Sequence, residues 1–309
     1  MDKLKRLKLR HVMPWCLAAW FGQAEAATQN FTLYVSSGTW PINGTGGAVV
    51  NVWGYGDQAA NPKVPGPALT VYEGDTVNLT VVNDHSLEHN LVIQGVSTDL
   101  SAIPPGGSKT YSFNAPSAGT YLYSDTLNDN VNREMGLYGA FIVRPADGSN
   151  SAWTGGPAYT FERTWVVSDM DKPRWNDVAG LGGTVDTAVY KPNYFLINGL
   201  GGFDGMMDAD TTIDGMVGET ALVRIVNTGQ YSQSLHFHAN HFKVLTSNGV
   251  RQSSPYQELD TINVPPMTTA DVLFYLNQPG HYPMHNHTSQ METANGVYLN
   301  GVSTMIMMH

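Results

Sequence analysis

Glu73-Gly74-Asp75-Thr76-Val77-Asn78-Leu79-Thr80-Val81-Val82-Asn83 reads as a turn that opens into a strand. Gly and Asp punctuate the chain, and the run after them is rich in β-branched residues. The same pattern returns as Gly218-Glu219-Thr220-Ala221-Leu222-Val223-Arg224. Two further echoes follow in the same order. Pro105-Gly106-Gly107-Ser108-Lys109-Thr110 is matched by Pro266-Met267-Thr268-Thr269-Ala270, and Gly119-Thr120-Tyr121-Leu122-Tyr123 by Gly280-His281-Tyr282-Pro283-Met284. Similar segments in one order mean two copies of one β domain.

Outward from these echoes the chain keeps the same character. Short runs such as Phe31–Ser36, Val49–Tyr55, Ser108–Phe113 and Leu137–Val143 are separated by Gly, Pro, Asn and Asp. After a Gly/Ser-rich stretch the pattern resumes with Thr164–Ser168, Phe242–Thr246, Thr261–Val264 and Val302–Met308. Regular short strands with turn signals predict an all-β sandwich or barrel. Helical signal is weak and confined to Leu127–Met135 and Glu292–Asn295. The expected organisation is a leader over 1–26, a first domain over 27–147, a linker over 148–160 and a second domain over 161–309.

The chain has 309 residues, 16 Lys+Arg, 26 Asp+Glu and a single cysteine, Cys16. One cysteine excludes an internal disulfide framework, a Cys-rich zinc site and a Cys-ligated iron–sulfur cluster. The acidic balance argues against a nucleic-acid partner, which needs a basic footprint. Lys3, Lys5, Arg6, Lys8 and Arg10 precede the short apolar run Val12 to Phe21 and the Ala24-Glu25-Ala26 cleavage pattern. This arrangement predicts an export signal, with an anchor helix as the alternative. Cleavage after Ala26 would leave 11 basic and 24 acidic residues, a net charge of −13, and no cysteine. No later run approaches the ~18 apolar residues of a membrane span, so a periplasmic or secreted protein is expected.

Ten histidines are present, and two pairs have i, i+2 spacing: His236-Phe237-His238 and His285-Asn286-His287. In a strand, residues two apart share a face. If the two strands are neighbours, four imidazoles converge into a nitrogen-rich site suited to copper or zinc. The plain alternative is two unrelated pairs on a solvated face. His241 and His281 are doubtful additions, and His85 and His89 read as surface loop residues beside Asp84 and Glu88. Methionines crowd the second half (Met206, Met207, Met216, Met284, Met291, Met305, Met307, Met308). Thioethers select cuprous ion, but they also fill cores. Met305 and Met307 alternate on the final strand, which suggests a core-facing side.

Leu235-His236-Phe237-His238, His285-Asn286-His287, Gly136-Leu137-Tyr138-Gly139-Ala140-Phe141-Ile142-Val143 and Tyr194-Phe195-Leu196-Ile197-Asn198-Gly199 together resemble the multicopper oxidases. That family is built from cupredoxin Greek-key β-barrels and includes laccases and copper nitrite reductases. The resemblance implies a two-domain all-β fold and copper as cofactor, with His236, His238, His285 and His287 as ligands. It also implies a small-molecule reductant and possible assembly as a homotrimer.

The same resemblance marks departures. The family's type 1 copper takes a cysteine from an H-C-H motif, and Asn286 stands there. Gln233 and Met291 stand where its two histidines are expected. In the first domain, Val92 and Gln94, and Ser124 and Thr126, replace two histidine pairs of the three-copper cluster. Four imidazoles can complete one metal site but not eight ligands for three. The expectation is a copper protein with one His-rich site in the second domain and no type 1 copper. It would act as a non-standard oxidoreductase or as a copper sequestration or delivery protein. A degenerate scaffold is the third reading.

Overall fold

The computed structural model describes residues 26–42 and 48–309. The expected leader and Cys16 lie outside the described residues. Strands account for 47 % of the structure and helices for 9 %.

The first half is two four-stranded sheets. One runs Ala48–Gly56, Thr28–Ile42, Thr76–Asn83, Ser108–Asn114; the other runs Leu69–Tyr72, Tyr138–Arg144, Gly119–Ser124, Val92–Ile93. Alternate residues such as Val77, Leu79 and Val81 point inward and meet Tyr123, Phe141 and Val143 of the facing sheet.

The second half repeats this plan. Phe161–Met170 pairs in parallel with Thr220–Asn227, as Thr28–Ile42 does with Thr76–Asn83. Ile213–Gly215 pairs in parallel with Ser303–Met308, as Leu69–Tyr72 does with Tyr138–Arg144. Each echoed segment falls on the equivalent strand. The smaller sheet of this half orders Ile213–Gly215, Ser303–Met308, Gly280–Asn286, Gln233–Phe237, Thr261–Val264. A seven-stranded sheet faces it across a core that includes Trp165, Phe237, Phe242 and Phe274.

A third apolar cluster joins the halves, with Ile42, Val52, Val64, Leu122 and Ile142 meeting Val166, Tyr194, Leu196 and Val226. Two glycine positions explain the quoted motifs. A Cβ at Gly139 would lie 2.3 Å from the Tyr123 ring, so Gly139 lets that buried ring pack flat against the neighbouring strand. Gly199 has φ +76°, and a Cβ there would meet the Val64 carbonyl oxygen, so the turn docks on the first half. Arg224 is fully buried; it donates to Glu162 at 2.9 Å and, across the junction, to the Thr120 hydroxyl at 3.2 Å.

Three local features differ from expectation. The stretch expected to be a linker is tied down by the Ser151–Ala158 bridge and by Arg251 over the Trp153 ring at 4.8 Å. The segment after Met170 was not anticipated as structure. It forms a short helical strap, Lys172–Asn176 and Asp177–Gly180, whose Trp175 and Ala179 join the core of the first half. The helical turn expected at Glu292–Asn295 sits slightly earlier, at Ser289–Glu292, while Val131–Glu134 is helical as expected. Among the described residues no helix is long and apolar enough to cross a membrane.

Candidate metal centre

Along Gln233–Phe237 the burial alternates. Gln233, Leu235 and Phe237 are buried, whereas Ser234 and His236 are half-buried on the other face. Gly280–Asn286 does the same, with Met284 and Asn286 inward and His285 outward. The two strands are antiparallel neighbours, and the register sets His236 directly opposite His285. His238 and His287 follow each strand on the same outer face. The alternation thus brings the four predicted imidazoles together and turns the residue between each pair into the barrel.

His236, His238 and His285 each offer a nitrogen within 4.8 Å of the others. His238 Nε2 lies 3.2 Å from His285 Nε2. Two nitrogens bound at about 2.0 Å to one tetrahedral or square-planar ion are themselves about 3 Å apart, so this spacing suits a shared metal. His287 is exposed, with its ring 5.0 Å from that of His236 and 5.9 Å from that of His285.

Outer contacts orient the rings. His285 Nδ1 lies 2.8 Å from Glu292 Oε1, and His236 Nδ1 lies 2.9 Å from the Thr261 hydroxyl. An Nδ1–H donated to Glu292 leaves the His285 Nε2 lone pair free for metal, the usual carboxylate–histidine–metal arrangement. Burial, followed by the charge of neighbouring imidazoles, holds His238 below the usual histidine range. Burial also lowers His236, although Asp260 opposes it. Both effects favour the neutral, metal-binding form. The donor set therefore fits one copper or zinc ion.

The inward residues form a different structure. Asn286 Nδ2 donates to Gln233 Oε1 at 2.7 Å, Asn286 Oδ1 accepts from the Thr288 amide, and both side chains are fully buried. Met291 lies buried in the same core. Gln233 Nε2 has no partner among the described residues. In the first half, Ser124 is buried and faces Val92 across the sheet, and the Thr126 hydroxyl is bonded to Asn90. Neither offers a nitrogen ligand.

His89 departs from the reading made of it. It is not a surface loop residue but is fully buried, with Nδ1 2.7 Å from Asp125 Oδ2 and Nε2 2.8 Å from His85 Nδ1. Burial and the nearby His89 push His85 down to about 4. Asp125 is held by His89, Asn132 and the Leu127 amide. Sequence spacing could not reveal this cluster, because its members come from loops 36 residues apart. His241 is not among the converging nitrogens and lines a cavity with Lys243 and Tyr275 of the seven-stranded sheet.

Two family models, both described as "Multicopper oxidase", match residues 42–148 and 171–301. The copper-containing nitrite reductase of Alcaligenes xylosoxydans xylosoxydans is 27 % identical over 74 % of this chain and 73 % of its own length. A putative laccase-18 of Oryza sativa subsp. indica is 30 % identical over 84 % of this chain but only 44 % of its own. The blue copper oxidase of Nitrosomonas europaea superposes with a TM-score of 0.75 at 22 % identity, covering 91 % of this chain and 86 % of that one. With both of its β-barrels matched, this chain belongs to the multicopper oxidase family.

Proposed function

We propose that this is an exported copper protein that holds one cupric ion through His236, His238 and His285, with His287 completing the set, and that has no type 1 copper. The observation that carries it is the convergence of three imidazole nitrogens within 4.8 Å, with Glu292 fixing one ring. The copper-bearing relatives favour copper over zinc.

When bound, copper supplies one-electron redox chemistry. The chain's own part is to present that ion on an outer face, keep the rings neutral and hold them rigidly. Asn286 carries no thiolate, and nothing in the Gln233–Asn286 pair can replace one. Electrons must therefore come directly from a small reductant at the exposed side, and turnover is limited to one-electron or peroxide chemistry. A sequestration or delivery role is the second reading, favoured by the methionines of the same sheet. Assembly as a homotrimer and a periplasmic or secreted location belong to the proposal.

Metal counting and electron paramagnetic resonance test it. The expected result is one paramagnetic copper per chain, no intense blue thiolate band, and loss of the signal in His236→Ala/His285→Ala. Three coppers per chain, or a signal indifferent to that double change, would sink the assignment. Oxidation of phenols or cuprous ion separates turnover from storage.

A further inference from the structure

Met305 and Met307 were expected to give the final strand a core-facing side. Instead Thr304, Ile306 and Met308 face inward, and the two thioethers lie half-buried on the outer face that carries the imidazoles. The register sets Met307 opposite His281 on one neighbouring strand and opposite Asp214 on the other. His309 is tied to the edge of this row. Its Nε2 is 2.8 Å from Asp214 Oδ1, and its ring centroid is 6.2 Å from that of His281. Two backbone bonds, His309 N to Gly215 O and Val217 N to His309 O, each 3.0 Å, fix the segment. The exposed Met216 sits in the turn they bracket.

The geometry points to a second copper site, built from His281, Met307, His309 and Asp214, that takes cuprous ion. Two imidazoles and a thioether form a softer donor set than imidazoles alone, and thioether ligation selects Cu(I). An Nε2–H of His309 donated to Asp214 leaves Nδ1 free as a ligand, the same orienting device that Glu292 provides for His285. His281 lies four residues from His285 along one strand, about 13 Å at the usual rise. Met305 occupies the rung between them, opposite Pro283. A thioether on an outer face beside imidazoles is not filling a core gap, which is the common use of methionine.

The test is anaerobic titration of the full chain with Cu(I) against bathocuproine disulfonate, beside a Cu(II) titration read by paramagnetic resonance. The wild type is expected to take one more cuprous ion than His281→Ala/His309→Ala. Met307→Leu, which keeps the volume, is expected to weaken that ion roughly tenfold and leave the cupric signal unchanged. His236→Ala/His285→Ala is expected to lose the cupric signal yet keep this cuprous ion, so the two sites fail separately. Equal cuprous counts in wild type and His281→Ala/His309→Ala would overturn the site. So would unchanged affinity in Met307→Leu, or loss of all cuprous binding in His236→Ala/His285→Ala.

Discussion

At the scale of single residues, position along a strand decides chemistry. His285 and Asn286 are neighbours, yet one faces solvent with a carboxylate behind it and the other faces the core with an amide for company. Glu292→Gln keeps the size of the group but removes the charge that steadies His285. Copper affinity is expected to fall roughly 10- to 100-fold, measured by competition titration, with the fold unchanged. Asn286→Ala leaves Gln233 Oε1 without its donor in a dry interior. That change is expected to cost about 1–3 kcal/mol in denaturant unfolding while sparing the cupric signal. The i, i+2 spacing of the histidines was readable from the chain, because alternation is a local rule. Which side each member faced was not, since that depends on which face of the sheet the core covers.

At the scale of elements, the centre exists because two strands meet in one register. A one-residue slip would turn every imidazole inward and every core residue outward. What holds the register is the apolar side, where Phe237 packs 5.4 Å from Trp165 and 4.7 Å from Phe242 by ring centroids. Phe237→Ala is expected to cost about 3–5 kcal/mol and to weaken copper binding although it removes no ligand. A normal copper affinity in a folded Phe237→Ala protein would show that the strand is positioned by other contacts. The strands and their duplication were legible from composition and turn signals. The strap around Trp175 was not, because a lone buried tryptophan in a Pro- and Gly-containing stretch carries no periodicity. His89 escaped notice for a related reason: its partner, Asp125, is distant in sequence and lies in another loop.

At the scale of the whole molecule, the halves are joined by polar as well as apolar groups. Tyr190, which packs edge-on against Trp175 of the strap, donates to Asp169 at 2.5 Å and lies 3.0 Å from Glu134 of the first half. Burial, reinforced by Asp169 and opposed by Arg133, raises Glu134 to about 7. One hydroxyl proton cannot serve two carboxylates, so a protonated Glu134 completes the set. The folded state then keeps a proton that the unfolded chain releases. This group's own contribution to stability is expected to fall as pH rises from about 4.5 to 7, while His85, held down at about 4, contributes a rise over much of the same range. Glu134→Gln mimics the protonated acid, so the wild-type urea midpoint should drop relative to that of the variant as pH rises across the range. An unchanged slope would place the titration elsewhere.

The inward amide pair also sets the kinetic order of any reaction the protein performs. A copper fed through a thiolate from an internal donor would be reduced at a rate that levels off as reductant is added, since the internal transfer becomes limiting. If the outer-face copper proposed above is the only one, no thiolate links it to an internal donor, since the inward position holds the Gln233–Asn286 pair. Reduction is then a plain collision between solute and surface, proportional to reductant concentration with no plateau, and stopped-flow traces should show one phase.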